Sequence, residues 1–149
     1  MILITGANGQ LGQELTALCQ RRGIACRAYS RQALDICNQA RVKACFDFES
    51  FDCVINCAAY TAVDAAEDDP QTAFSVNAEG PRILAESGVP VIHVSTDYVF
   101  DGKSSLPYGT DAPVNPLSVY GRSKRAGETA LLSGGFSGLI VRTAWLYSK

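Results

Sequence analysis

The sequence predicts an α/β fold, a doubly wound parallel sheet between two layers of helices. Three observations predict it. Short apolar runs alternate with helical patterns along the chain. The runs are continuous and do not alternate apolar with polar, as strands covered on both faces read. A glycine-rich loop joins the first run directly to the first helix, the junction at which such sheets open toward a ligand.

Met1–Thr5 (MILIT) is the first strand, and Gly6, Gly9 and Gly12 follow at once. A helix runs from about Gln10 to Arg22 on Leu11, Leu15 and Leu18, spaced by four and three, and Gly23 stops it. Ala25–Tyr29 is the second strand, Leu34–Ile36 a very short third, and Asn38–Phe46 a second helix. Cys53–Asn56 (CVIN) is the fourth strand, its end marked by the polar Asn56. Pro70–Ser87 reads as a helix entered through Asp69-Pro70, and the Gly80-Pro81 pair should kink or interrupt it. Gly88 and Pro90 lead into the strand Val91–Ser95. Asp97–Pro116, rich in Gly, Pro, Asp and Ser, is a long loop. Leu117–Leu132 is a helix ended by Ser133-Gly134-Gly135, Leu139–Thr143 is the sixth strand, and Trp145–Lys149 is a tail or the start of a loop. Right-handed crossovers then place ligand sites at the strand C-terminal ends.

At 149 residues the chain fits one domain, and 47% hydrophobic with 19% charged residues is a globular balance. A net charge of -2 offers no electrostatic case for nucleic acid or an acidic membrane surface. No apolar run nears the roughly 20 residues of a membrane helix. The N-terminus reads as a strand and not as a secretory signal, so the expected compartment is the cytoplasm. Cys19, Cys26, Cys37, Cys45, Cys53 and Cys57 then read as free, buried thiols. No C-x-x-C pair is present, and the one histidine, His93, lies in an apolar run and reads as a strand histidine, so no metal site is expected.

The loop Thr5-Gly-Ala-Asn-Gly-Gln-Leu-Gly12 has the spacing G-x-x-G-x-x-G. Gly6 permits a tight turn, Gly9 a close backbone approach to a pyrophosphate, and Gly12 the packing of helix on strand. The helix N-terminus adds a positive dipole end for phosphates. Placed after a strand and opening a helix, the loop marks a Rossmann-type dinucleotide site. Its expected contacts are Gly6, Asn8, Gly9, Gln10, Leu11 and Gly12. NAD sites carry an acidic residue at the end of the second strand for the ribose 2′-hydroxyl. Here Ser30 and Arg31 stand there, and they suit a 2′-phosphate. NADP(H) is therefore the expected cofactor, with NAD(H) left open.

Tyr120 and Lys124 are four apart at the start of a helix and so share a face. A nearby ammonium favours phenolate and pulls a tyrosine pKa down, letting it exchange a proton with an alcohol or ketone near neutrality. Lys124 can also hold the nicotinamide ribose hydroxyls. Ser95-Thr96 ends a strand, where a hydroxyl can hydrogen-bond a reacting carbonyl. The expected catalytic residues are Thr96, Tyr120 and Lys124.

Together, Gly6–Gly12, Ser95/Thr96, Tyr120 and Lys124 resemble the extended short-chain dehydrogenase/reductases. Asn56-Cys-Ala-Ala-Tyr-Thr-Ala-Val-Asp64 with Glu67, Val76-Asn-Ala-Glu-Gly-Pro81, Ser95-Thr-Asp-Tyr-Val-Phe-Asp-Gly102, Pro116-Leu-Ser-Val-Tyr-Gly-Arg-Ser-Lys124 and Arg142-Thr-Ala-Trp-Leu-Tyr147 narrow this. They closely resemble the dTDP-4-dehydrorhamnose reductase family over essentially the whole sequence. The resemblance implies reduction of the C4 keto group of dTDP-6-deoxy-L-lyxo-4-hexulose to dTDP-L-rhamnose, for bacterial surface polysaccharide. It implies catalytic roles for Thr96, Tyr120 and Lys124, a place beside the adenine for Asp35 and Ile36, and a cofactor-lining stretch Ala58, Ala59 and Tyr60. It puts Asn77 on the following helix and Tyr98 and Trp145 near the sugar. It also implies a homodimer with Mg2+ for a full-length form.

Members of that family run to nearly twice this length and carry a C-terminal substrate lobe. Residues 1–149 therefore read as the NAD(P)-binding domain, without that lobe. The helix before Val91 also looks shortened, with Gly88 arriving early. Two other readings stand beside the reductase. A sugar-nucleotide epimerase or dehydratase usually has an acidic residue where Ser30-Arg31 stands. A regulatory subunit like the beta subunit of methionine adenosyltransferase binds a partner, and the intact Thr96, Tyr120 and Lys124 favour an enzyme over it.

Overall fold

A computed structural model describes residues 1–133 and 137–147. The strands β1 Ile2–Thr5, β2 Cys26–Tyr29, β3 Cys53–Asn56, β4 Val91–Thr96 and β5 Gly138–Thr143 form one sheet in the order β2-β1-β3-β4-β5, and every pairing is parallel. The chain steps from β1 to β2 and then reverses across the sheet to β3. The cleft of a doubly wound fold opens at that switch, beyond the strand C-terminal ends.

Register explains what the sheet carries. Leu3, Val54 and Val91 lie side by side in one row, all fully buried. They form the core with Val42, Ile83 and Leu84. Two residues further along the same face, Thr5, Asn56 and His93 form a second row, which is buried but polar. The sheet thus changes from apolar packing to hydrogen-bonding chemistry as it nears the cleft.

Helix α1 Gln10–Arg22 ends on Gly23, whose φ of 64° is left-handed, and α2 Gln39–Phe48 is capped by the Asn38 side chain on the Arg41 N–H. The segment Leu34–Ile36 is not a strand, so among the described residues the sheet has five strands and not six. The Ala33 and Leu34 N–H groups both bond the Ser30 carbonyl, and the Asn38 N–H bonds that of Asp35. Its apolar pattern comes from Leu34 and Ile36 anchoring a turn in the core.

A short helix that the sequence reading lacked, α3 Val63–Asp68, precedes the expected one. The latter is composed of α4 Pro70–Phe74, a π turn Ser75–Glu79 and α5 Gly80–Ala85. Pro81 has no N–H for the Asn77 carbonyl four residues back, and the Gly80 N–H bonds the Ser75 carbonyl five residues back. The expected interruption is therefore a one-residue widening through which the helix continues. The long loop opens with a 3₁₀ turn, Asp97–Val99. Helix α6, Val119–Ser133, starts two residues later than Leu117. Its first N–H, of Val119, is taken by the Glu67 carboxylate of α3 at 2.7 Å, and the Ser118 hydroxyl takes that of Gly121 at 3.0 Å.

The edge strand β5 is less covered than its apolar sequence suggested, with Leu139 56% exposed. Trp145 and Tyr147 are exposed beyond it. Gly134 and Gly135, expected to end α6, lie outside the described residues, as do 148–149. Among the described residues no helix is long and apolar enough to cross a membrane.

Candidate active site

Two cavities, of about 290 and 970 Å³, open at the C-terminal ends of β1, β3 and β4, and Gly9, Cys57 and Ala59 border both. The smaller is walled by the glycine loop (Gly6, Asn8), by Ala58 and Tyr60 after β3, and by Arg31, Asp35 and Ile36 after β2. The loop is drawn tight. Gly6 has φ 66°, and a Cβ there would stand 2.6 Å from the Ala58 nitrogen. A Cβ on Gly12 would stand 2.4 Å from the Gly6 carbonyl oxygen, so Gly12 acts in packing and lines neither cavity. Gly9 offers no capping side chain to α1, whose positive end is thus presented to the cleft. Arg31 points its exposed guanidinium toward Asp35, with 3.8 Å between them. Ser30 does not line the cavity. Its hydroxyl accepts the Ala33 N–H at 3.4 Å inside the turn.

The larger cavity brings together Thr96, Tyr98, Tyr120, Lys124 and Trp145, with Gln10 and Leu11 on the glycine-loop side. The Thr96 hydroxyl interacts with Tyr120, donates to the Asp97 carboxylate at 3.1 Å and takes the Tyr98 N–H at 3.2 Å. The Tyr98 ring meets Tyr120 edge-on, with centroids 5.6 Å apart. Asn77, inside the π turn, holds the cofactor-lining segment. Its side chain accepts the Tyr60 N–H at 2.9 Å, donates to the Tyr60 carbonyl at 3.0 Å, and donates to Ser123 of α6 at 2.9 Å.

Electrostatics depart from expectation at the tyrosine. Burial pushes the Tyr120 phenol above its ordinary value, with only partial opposition from the Thr96 hydrogen bond. Lys124 does not lower it. The lysine is buried, and its Nζ turns back to the sheet to donate to the Val94 carbonyl at 2.6 Å. Burial pushes the amine down to about 8, against the pull of Glu128.

Sequence reasoning missed the polar network behind this pair. Thr5 donates to Asn56 at 2.7 Å, Asn56 meets His93 at 3.0 Å, and His93 lies 3.5 Å from Lys124. Glu128, fully buried, accepts from Ser95 at 2.6 Å, from Arg125 at 2.9 Å and from both Nε and Nη2 of Arg142. Continuing the spacing of four from Tyr120 through Lys124 reaches Glu128, so that residue was signalled. The Asn56–His93 contact depends on strand register, which one sequence does not carry. The Mg2+ implied by resemblance finds no support: among the described residues, no group of three or more His, Cys, Asp and Glu could hold an ion.

Known proteins place this cleft in a lineage. The family model described as RmlD substrate binding domain matches residues 1–149. A dTDP-4-dehydrorhamnose reductase of Streptomyces griseus is 50% identical over 97% of the chain and 49% of its own length. One from Mycobacterium tuberculosis is 44% identical over 99% of the chain and 50% of its own length. Among solved structures, a dTDP-4-dehydrorhamnose reductase of Bacillus anthracis in complex with NADP superposes with a TM-score of 0.95 at 37% identity, over 99% of this chain and 54% of that one. A UDP-glucose 4-epimerase of Brucella ovis, at 24% identity and a TM-score of 0.86 over 95% of this chain and 50% of that one, shares the Rossmann-type fold. The chain spans about half the length of the curated relatives it matches. With its full length matched by the family model, the chain belongs to the RmlD substrate-binding-domain family.

Proposed function

We propose that this chain forms the cofactor-binding part of an enzyme that reduces the C4 ketone of a dTDP-linked 6-deoxy sugar with NADPH. One observation carries the reading: Thr96, Tyr120 and Lys124 converge on a cavity of about 970 Å³ that adjoins the glycine-loop cavity. The glycine loop, whose backbone at Gly6 and Gly9 borders the smaller cavity and whose tight turn depends on Gly12, fits a pyrophosphate. Arg31 is the group for a 2′-phosphate. The NADP bound in the Bacillus anthracis relative supports that choice.

The nicotinamide, when bound, supplies the hydride. Tyr120 supplies the proton. A phenol held above its ordinary pKa is proton-bearing at neutral pH, the form a reduction needs for donation to the sugar O4. Thr96 orients that oxygen through its hydroxyl, and Lys124 holds the nicotinamide ribose. Tyr98 and Trp145, on the open side of the cavity, are assigned to the sugar. The proposal places the protein in the cytoplasm, in keeping with six free cysteines; contrary to the expectation of buried thiols, only Cys19 is buried and the other five are half-buried. It includes a homodimer for the full-length form.

The test is NADPH oxidation by the full-length polypeptide with dTDP-6-deoxy-L-lyxo-4-hexulose. Turnover is expected, and Tyr120→Phe is expected to lower it by about 100-fold or more while NADPH binding is kept. Absence of turnover in the full-length form overturns the reading.

A further inference from the structure

The buried chain Asn56–His93–Lys124 allows its hydrogen atoms to be assigned from chemistry. Asn56 Oδ1 takes the Ala58 backbone N–H at 3.2 Å and the Thr5 hydroxyl at 2.7 Å. A backbone N–H only donates, so that atom is the amide oxygen. The amide nitrogen Nδ2 then faces His93 Nδ1 at 3.0 Å as a donor. Nδ1 must present a lone pair, and the neutral ring carries its proton on Nε2. Nε2 lies 3.5 Å from Lys124 Nζ, which already gives one proton to the Val94 carbonyl at 2.6 Å. Toward His93, an ammonium would set N–H against N–H. A neutral amine can turn its lone pair there.

We propose that His93, held by Asn56 in the Nε2–H form, is a positioning residue that sets the protonation state of Lys124 in the reductase site. The proposal rests on the assignment of Lys124 to that site. The charged groups on the neighbouring elements are engaged elsewhere. Glu128, one turn along α6, favours the ammonium, but its carboxylate is shared among Arg142 of β5, Arg125 and Ser95. Asp97 and Tyr98, after β4, act on Tyr120. Glu67 of α3 is bound to the Val119 N–H, the π turn presents the neutral Asn77 to Ser123, and Arg82 of α5 pairs with Glu79 and Glu86. Burial acts in the same sense, with the imidazole pushed down to about 3 and the amine to about 8. Lys124 is then a group that changes charge near working pH, in place of a fixed cation.

The first measurement uses the chain as it stands, in which His93 is the only histidine. ¹⁵N-histidine NMR is expected to find the proton on Nε2 from about pH 6 to 9. A proton on Nδ1 overturns the proposal. The second follows the Lys124 titration by ¹³Cε-lysine NMR, assigned with Lys124→Arg. Asn56→Ala, which frees the ring without adding charge, is expected to raise the midpoint by about one pH unit. Asn56→Asp, which accepts from Nδ1–H and so reverses the ring's proton, is expected to raise it further. A midpoint unmoved in both overturns the proposal. Should neither variant fold, the parent decides, because a Lys124 midpoint near the ordinary 10.4 or so also overturns it. In the full-length enzyme the alkaline limb of the kcat profile is expected to move with that midpoint, and a fixed limb removes the claim on the reaction. The NMR readings need no turnover, so a failure of the reductase reading is seen separately from a failure of this one.

Discussion

Burial holds the His93 imidazole neutral down to about pH 3, whereas an unfolded imidazole titrates near 6.5. As pH falls, the unfolded chain takes up the proton first. This stability is present in full above about pH 6.5 and is lost as pH falls toward 3, at about 1.4 kcal/mol per pH unit. Urea unfolding is expected to show about 2 kcal/mol less stability at pH 5 than at pH 7, with a flatter profile in His93→Gln; equal slopes in the two proteins would refute the assignment. Arg31 and Ser30 give a second residue-scale prediction. Arg31→Ala is expected to weaken NADPH by about tenfold and NADH little, whereas Ser30→Ala changes either slightly because Ser30 does not line the cavity. Fluorescence titration with both cofactors checks this, and equal losses would reject Arg31 as the phosphate group. The contrast also shows how far single residues could be read. Tyr120, Lys124 and Arg31 were legible because sequence spacing alone puts them at a helix start or a strand end. The direction in which Ser30 and Lys124 point was not, since it depends on hydrogen-bond partners distant in sequence.

Between elements, Glu128 is the tie that fixes α6 to β5 and to the end of β4. Removing its charge and shape together, as in Glu128→Leu, strands the guanidinium of Arg142 with no carboxylate. A loss of about 3–5 kcal/mol is expected in denaturant unfolding, far above the effect of a surface ion pair. A loss under about 1 kcal/mol would mean that the network is dispensable. The junction of β1 with α1 is as demanding: Gly12→Val would drive side-chain carbon into the Gly6 carbonyl and is expected to abolish NADPH binding even in a folded sample. Periodicity found α6 because it buries a regular stripe, and the central strands were found as continuous apolar runs. It failed at Leu34–Ile36, where the buried residues belong to a turn, and at α3, whose six residues are too few to show a period.

Taken whole, both halves of the cleft lie within the described residues, while the chain spans about half the length of its curated relatives. The 149-residue chain is therefore expected to bind NADPH by itself and to turn over the keto-sugar little or not at all. Positioning a ketone against the cofactor can carry roughly 7–11 kcal/mol of a barrier, and the open side near Trp145 is where a covering lobe would contribute it. Fluorescence titration and a coupled assay measure the two halves of this expectation. Turnover equal to that of the full-length form would show that nothing beyond these residues is needed. The doubly wound architecture was legible from the order of elements, and the two cavities follow from it. The polar row Thr5–Asn56–His93 was not, because it exists only across three strands in register.

The π turn at Ser75–Glu79 has a consequence for how this sequence can drift through generations. The helix holds one residue more than its pitch accommodates, and the surplus is what aims Asn77 at Tyr60 and Ser123. Its carbonyl also sits so close to α6 that a Cβ on Gly127 would stand 2.1 Å from it. Deleting a single codon here would restore ordinary pitch and leave Ile83 and Leu84 on their face, but it would swing Asn77 away from Tyr60 and Ser123. Residues 75–79 are thus held in number, and Asn77 in letter as well, so length polymorphism among descendants of this sequence should stop at that boundary.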